Sequence, residues 1–192
     1  MKKLYEALTG YIIQKGMIEE SDREMYEYAF ELMAEVGLFA MVCIAIAVYL
    51  QMVVEGIFFF LIFIPLRSYA GGLHMETFRS CFCLSCLVFI GVLLSVRNIE
   101  ISGNFSITVL LLLEFIVYKL YPVENVNRVV DEEESIYFKK KLRLFLFLDF
   151  LFAAVCFILG KERYLLLIMT TFLLVVITMV AGKCKNRFTL DV

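Results

Sequence analysis

The stretch LRSYAGGLHMETFRSCF, residues 66–82, interrupts a chain that is otherwise apolar on both sides of it. Apolar residues run almost unbroken from Val36 to Pro65 and again from Cys81 to Val96. Between these blocks stand Arg67, Arg79, the paired Gly71 and Gly72, the single histidine of the chain, His74, and Cys81 seven residues after it. A helix needs ~20 residues to cross the hydrocarbon core of a bilayer. The stretch therefore reads as a polar connection between two spans, and that reading sets the fold.

Composition agrees. The 192 residues are 62% hydrophobic and 15% aromatic, without Trp, and the mean hydropathy is +0.86. A soluble domain carries roughly 45–50% apolar residues. One small core cannot hide the excess, so membrane lipid must cover it. The net charge of -2 gives no reason to expect a nucleic-acid partner. The first thirty residues carry charges throughout and lack a compact apolar run, so no cleavable signal peptide is expected. The six cysteines lie mostly in apolar runs and read as free thiols.

The apolar blocks predict an all-α, polytopic membrane fold with six transmembrane helices. The expected spans are 29–50, 52–70, 75–96, 103–121, 142–159 and 163–182, with the first two joined by a turn between Gln51 and Gly56. Residues 1–25 are expected to form an amphipathic interfacial helix, because Leu4, Leu8, Tyr11, Ile12 and Met17 share a stripe. The whole chain, 1–192, reads as one domain. Basic residues test the span count, since Lys and Arg collect on the cytoplasmic side. With the N-terminus inside, cytoplasmic segments hold fifteen of the 18 Lys and Arg, and outer loops hold Arg97, Lys161 and Arg163. Dropping one span would invert every later loop. Both termini and residues 66–82 are thus expected in the cytoplasm.

A thiol becomes a strong nucleophile where a base or positive potential favours its thiolate. His74 is the natural base for Cys81, and Arg67 and Arg79 add positive potential; the competing reading of these polar groups is an interfacial loop at the membrane edge with no catalytic role. On one continuous helix a seven-residue separation puts two Cα atoms ~10.5 Å apart. His74 is therefore expected at a fold-back before the helix, with Gly71 and Gly72 supplying the backbone freedom and N–H groups for an oxyanion. Cys83 and Cys86 read as small buried hydrophobes. A metal site from His74, Cys81, Cys83 and Cys86 is disfavoured, because Cys81 and Cys83 lie ~200° apart on a helix. Neither a metal nor another cofactor is expected, and no GxxxxGK[ST] phosphate loop is present.

The pattern Arg67-x3-Gly71-Gly72-x-His74-x6-Cys81 between hydrophobic spans resembles accessory gene regulator protein B (AgrB), a family of membrane cysteine endopeptidases in bacterial peptide quorum sensing. YPVENVNR, residues 121–128, is similar to the family's Pro- and Asn-containing loop and includes Asn125. The resemblance implies Cys81 as nucleophile and His74 as its base. It further implies an AgrD-like precursor peptide as substrate, cut before an acidic tail, and a homodimer. KKKLR, residues 139–143, is a basic run that reads as a topology anchor or, through Lys139, Lys140 and Lys141, as a dock for that tail. Glu55, Glu114 and Asp149 fall inside predicted spans, where acids pair with each other, mark a pathway or meet a subunit. A non-enzymatic peptide exporter and a membrane assembly module are the competing readings.

Overall fold

A computed structural model of the chain describes residues 2–73, 78–123 and 132–190. Its regular elements are helices, as expected: α1 Lys2–Gln14, a 3-10 turn at Glu20–Asp22, α2 Arg23–Tyr49, α3 Val53–Ala70, α4 Phe78–Asn98, α5 Gly103–Leu120, α6 Glu132–Ile158 and α7 Glu162–Leu190. An isolated bridge pairs Gly71 with Val123. By contacts the chain forms two compact units, Met1–Ile46 and Ala47–Val192.

In the first unit, residues 1–25 are not one helix. α1 closes at Gln14, where the Gly16 N–H donates to Ile13 O and the Met17 N–H to Ile12 O. That pair of bonds requires a left-handed residue just past the helix, and Gly16 supplies it with φ +66. Leu8, Tyr11 and Met17 of the expected apolar stripe are exposed.

The α2–α3 turn is tighter than expected. Gln51 N–H donates to Val48 O and Met52 N–H to Ala47 O, with Gln51 itself at φ +56. The chain therefore reverses within Leu50–Met52. Gly56 lies inside α3 instead, where a Cβ would stand 3.2 Å from Phe89 Cζ and 3.3 Å from Ala47 Cβ. It is a packing position, of the small-residue kind that lets membrane helices approach closely.

In the second unit α7 packs against α3, α4, α5 and α6. Its sequence explains this. Leu165 to Met169 are buried consecutively, all round the helix, and Phe172, Val175 and Met179 continue the burial. The neighbours bury one stripe each: Phe59, Ile62, Leu66 and Ala70 on α3, Ser106, Leu110, Leu113 and Val117 on α5. Those three- and four-residue spacings follow the helical period.

Among the described residues, five helices are long and apolar enough to cross a membrane: Glu20–Tyr49, Val53–Ala70, Arg79–Asn98, Gly103–Leu120 and Glu162–Arg187. The expected fifth span forms a helix too, but α6 carries Lys141, Arg143 and Asp149 in its apolar part and does not meet that standard. The basic run 139–143 thus belongs to a helix, which opens at Glu132.

The helices of this unit alternate in direction. At one end α3, α5 and α7 begin together: Glu55 Oε1 lies 2.8 Å from Arg163 Nη2, and Gly103 N–H donates to Glu162 Oε1 at 3.0 Å. Arg97 and Lys161 line a cavity of about 570 Å³ at that end, beside Glu55 and Arg163. At the other end the last turns of α3 and α5 meet the first turns of α6. Tyr69 stacks on Phe145 with centroids 5.5 Å apart, and Tyr121 OH donates to Ser135 O at 3.0 Å. The three basic residues expected outside therefore gather at the first end, and the Arg67 and KKKLR groups gather at the second.

Candidate active site at the α3–α4 junction

The site is built on the last turn of α3. Leu66 and Ala70 are buried, while Tyr69 is held by Phe145 and, edge-on at 5.8 Å, by Phe138 of α6. Those anchors fix the rotation of the turn and leave Arg67 half-buried, directed toward the segment that follows.

That segment, Gly71–Leu73, is clamped from three sides. From the loop after α5, the Val123 N–H donates to Ala70 O at 3.2 Å, and a Cβ at Gly71 would fall 2.1 Å from Val123 O. From α7, Thr178 O accepts the Leu73 N–H at 2.9 Å. From α3, Arg67 Nη2 donates to Leu73 O. Gly71 has φ +80 and ψ -166, a region open essentially to glycine alone. Gly72 has φ +145, and a Cβ there would stand 3.1 Å from Arg67 Cζ. The glycine pair thus serves close approach as well as the fold-back read from sequence. The Leu73 amide, occupied by Thr178, is not available to an oxyanion.

Across the junction, α4 begins at Phe78. Cys81 lies in its first turn and is exposed, as is Arg79. The Arg67 guanidinium is close enough to Cys81 for the two to interact electrostatically. The structure therefore brings together Arg67, Gly71, Gly72 and Cys81 from the expected set. His74, the residues where the third span was expected to begin, and Asn125 lie outside the described residues. Lys139 and Lys140 are exposed on α6, and Lys141 Nζ sits 5.4 Å over the Tyr137 ring.

Some expectations change. None of the six cysteines is joined in a disulfide, as read from sequence, but Cys83 is exposed and Cys86 only half-buried. Cys43 and Cys156 are the buried ones. On a membrane helix a cysteine can face lipid and still sit in an apolar medium, so apolar sequence does not imply protein burial. Glu55 is paired with Arg163 at the opposite end and takes no part in this site. Glu114 and Asp149 are close enough to interact across α5 and α6, and one oxygen of each, Glu114 Oε1 and Asp149 Oδ2, is buried without a hydrogen-bond partner. Thr178 and Gly182 of α7, which meet the glycine segment, were not singled out in the sequence. Gly182 offered only the weak signal of a glycine within an apolar helix.

No curated protein and no solved structure matches this chain. A family model does, over residues 5–179, which include the whole Arg67–Cys81 pattern. The chain belongs to the accessory gene regulator B (AgrB) family, and that membership implies a part in processing quorum-sensing autoinducing peptides.

Proposed function

We propose that the protein is a six-span membrane cysteine endopeptidase (a thiol protease) that removes the C-terminal tail of an AgrD-like precursor and promotes its cyclisation. The observation that carries this reading is the Arg67 guanidinium held at the glycine turn by Leu73 O, within electrostatic range of Cys81, in a chain of this family. A cation there can stabilise a thiolate or the negative charge of a tetrahedral intermediate.

In the proposed reaction Cys81 Sγ attacks the scissile carbonyl carbon while His74 takes the thiol proton. The tetrahedral intermediate collapses with cleavage of the C–N bond, and His74 returns the proton to the leaving amine. The N-terminal part of the peptide is left as a thioester on Cys81. A cysteine within that peptide then attacks the thioester carbonyl, forming a thiolactone and restoring the Cys81 thiol; a serine gives a lactone. Gly71 and Gly72 shape the turn beside the nucleophile, Arg79 adds positive potential, and Asn125 with Lys139, Lys140 and Lys141 binds the acidic tail. α6 supplies the sixth span, with Lys141 and Arg143 reaching toward the interface along their apolar stems. The positive-inside rule then puts the site and both termini in the cytoplasm of a bacterial cell membrane. Family resemblance favours a homodimer.

The test is precursor cleavage by the full chain in membranes. Cys81→Ala and His74→Ala should each abolish it at unchanged protein level and insertion. Cys83→Ala and Cys86→Ala should stay within a few-fold of wild type. Cleavage by Cys81→Ala would end this reading.

A further inference from the structure

We infer that Gly182 of α7 is a positioning residue for the reaction: its bare backbone seats Gly72 and Leu73, and through them fixes the Arg67 guanidinium at the turn that leads to Cys81. The inference rests on the proposed role of Cys81 and adds a residue that lies beyond the matched stretch 5–179.

The contacts form a continuous chain. Gly182 is buried inside α7, and a Cβ there would lie 2.7 Å from the Gly72 carbonyl carbon and 2.9 Å from Leu73 N. Both are main-chain atoms, so no side-chain rotation can relieve the clash. One turn earlier on the same helix, Thr178 O accepts the Leu73 N–H. α7 therefore offers the segment one hydrogen-bond acceptor and one flat patch, four residues apart on a single face. Leu73 O in turn accepts from Arg67 Nη2, and the Arg67 guanidinium covers Gly72 and interacts with Cys81.

The register between α7 and the segment is thus set where Gly182 has no side chain. Ordinary van der Waals contact begins at 3.4 Å, against the 2.7 Å a methyl group would have here. A methyl group must push the segment away by ~0.7 Å at least. Displacements of that order at a reacting group cost up to ~100-fold in rate. Two other helical glycines lack this restraint. Gly91 of α4 and Gly37 of α2 have nothing within 4 Å of a built Cβ.

The experiment uses the full chain in liposomes and two readouts. The first is iodoacetamide labelling resolved by mass spectrometry, reported as the rate at Cys81 over the rate at Cys83 in the same molecule, across pH. Gly182→Ala should lower that ratio by about tenfold near neutral pH, and Arg67→Gln should lower it likewise. A general loosening of the fold would instead raise both rates. The second readout is precursor cleavage, where Gly182→Ala should lower kcat by ~10–100-fold with KM nearly unchanged. Gly91→Ala should match wild type in both. Labelling needs no peptide, so if the peptidase reading fails the labelling ratio still decides the positioning claim. Wild-type labelling and cleavage by Gly182→Ala would overturn it. Should that variant fail to accumulate, hydrogen exchange on the unaltered chain decides. Protection of the Leu73 amide supports the seat on α7, and exchange at the rate of an open loop overturns it.

Discussion

Gly71→Ala is the sharpest perturbation of the turn, because two independent costs fall on one methyl group. The backbone at φ +80 and ψ -166 lies where residues other than glycine pay roughly 1–3 kcal/mol. The added Cβ would also stand 2.1 Å from Val123 O, so the two strands of chain must part by ~1.3 Å to restore contact at 3.4 Å. Parting them breaks the Val123 N–H to Ala70 O bond of 3.2 Å, worth about 0.5–1.5 kcal/mol net. Together these give about 1.5–4.5 kcal/mol, charged to one turn and not to the helical packing beneath it. The expected result is a chain that still inserts and accumulates but cuts the precursor on the order of 100-fold more slowly, since a shift above 1 Å misplaces the reacting groups. The assay is a cleavage time course in proteoliposomes at matched protein, alongside a thermal unfolding midpoint in detergent. Wild-type cleavage together with a wild-type midpoint would refute the reasoning.

Two further predictions concern other parts of the molecule. Arg163→Gln leaves the buried Glu55 carboxylate without its partner and should destabilise the chain by about 1–3 kcal/mol. That is below the cost for a fully buried pair because the Arg163 side chain is 49% exposed. Adding Glu55→Gln should recover part of that loss in a double-mutant cycle of unfolding midpoints. Changing Lys139, Lys140 and Lys141 to Gln should raise the apparent KM for the precursor and weaken its dependence on salt; an effect confined to membrane insertion would instead make the run a topology anchor.

Much of the fold was legible because a bilayer demands long apolar helices, and the apolar runs mark them. α3, α4, α5 and α7 fall near their expected places, and the basic residues divide between the two ends of the second unit as the alternation requires. The end of α2 was less legible. Gln51 adopts the left-handed conformation of the turn and lies at the start of the expected stretch, whereas Gly56, its expected end, proved to be a packing position inside α3. α6 was read as a span from its apolar half, while Lys141, Arg143 and Asp149 pull its composition the other way. At the site, Arg67, Gly71, Gly72 and Cys81 could be found because they are neighbours in sequence as well as in space. Val123, Thr178 and Gly182 could not. They reach the turn from the loop after α5 and from α7 and act mainly through backbone atoms, which leave no trace in residue type. Burial of Cys83 and Cys86 was misread for a different reason, since an apolar pattern cannot separate a side chain facing lipid from one facing protein.

The central claim is that Cys81 becomes covalently joined to the peptide during cleavage. Its most direct measurement is the mass of the full-length protein after a brief incubation with a precursor whose internal Cys or Ser is replaced by Ala, so that the acyl group cannot leave by cyclising. The expected result is an added mass equal to the N-terminal precursor fragment less one water relative to its free acid, mapped to Cys81 and released by hydroxylamine as a thioester must be. Cleavage of that precursor with no adduct at any time, or with the adduct on a different residue, would contradict it.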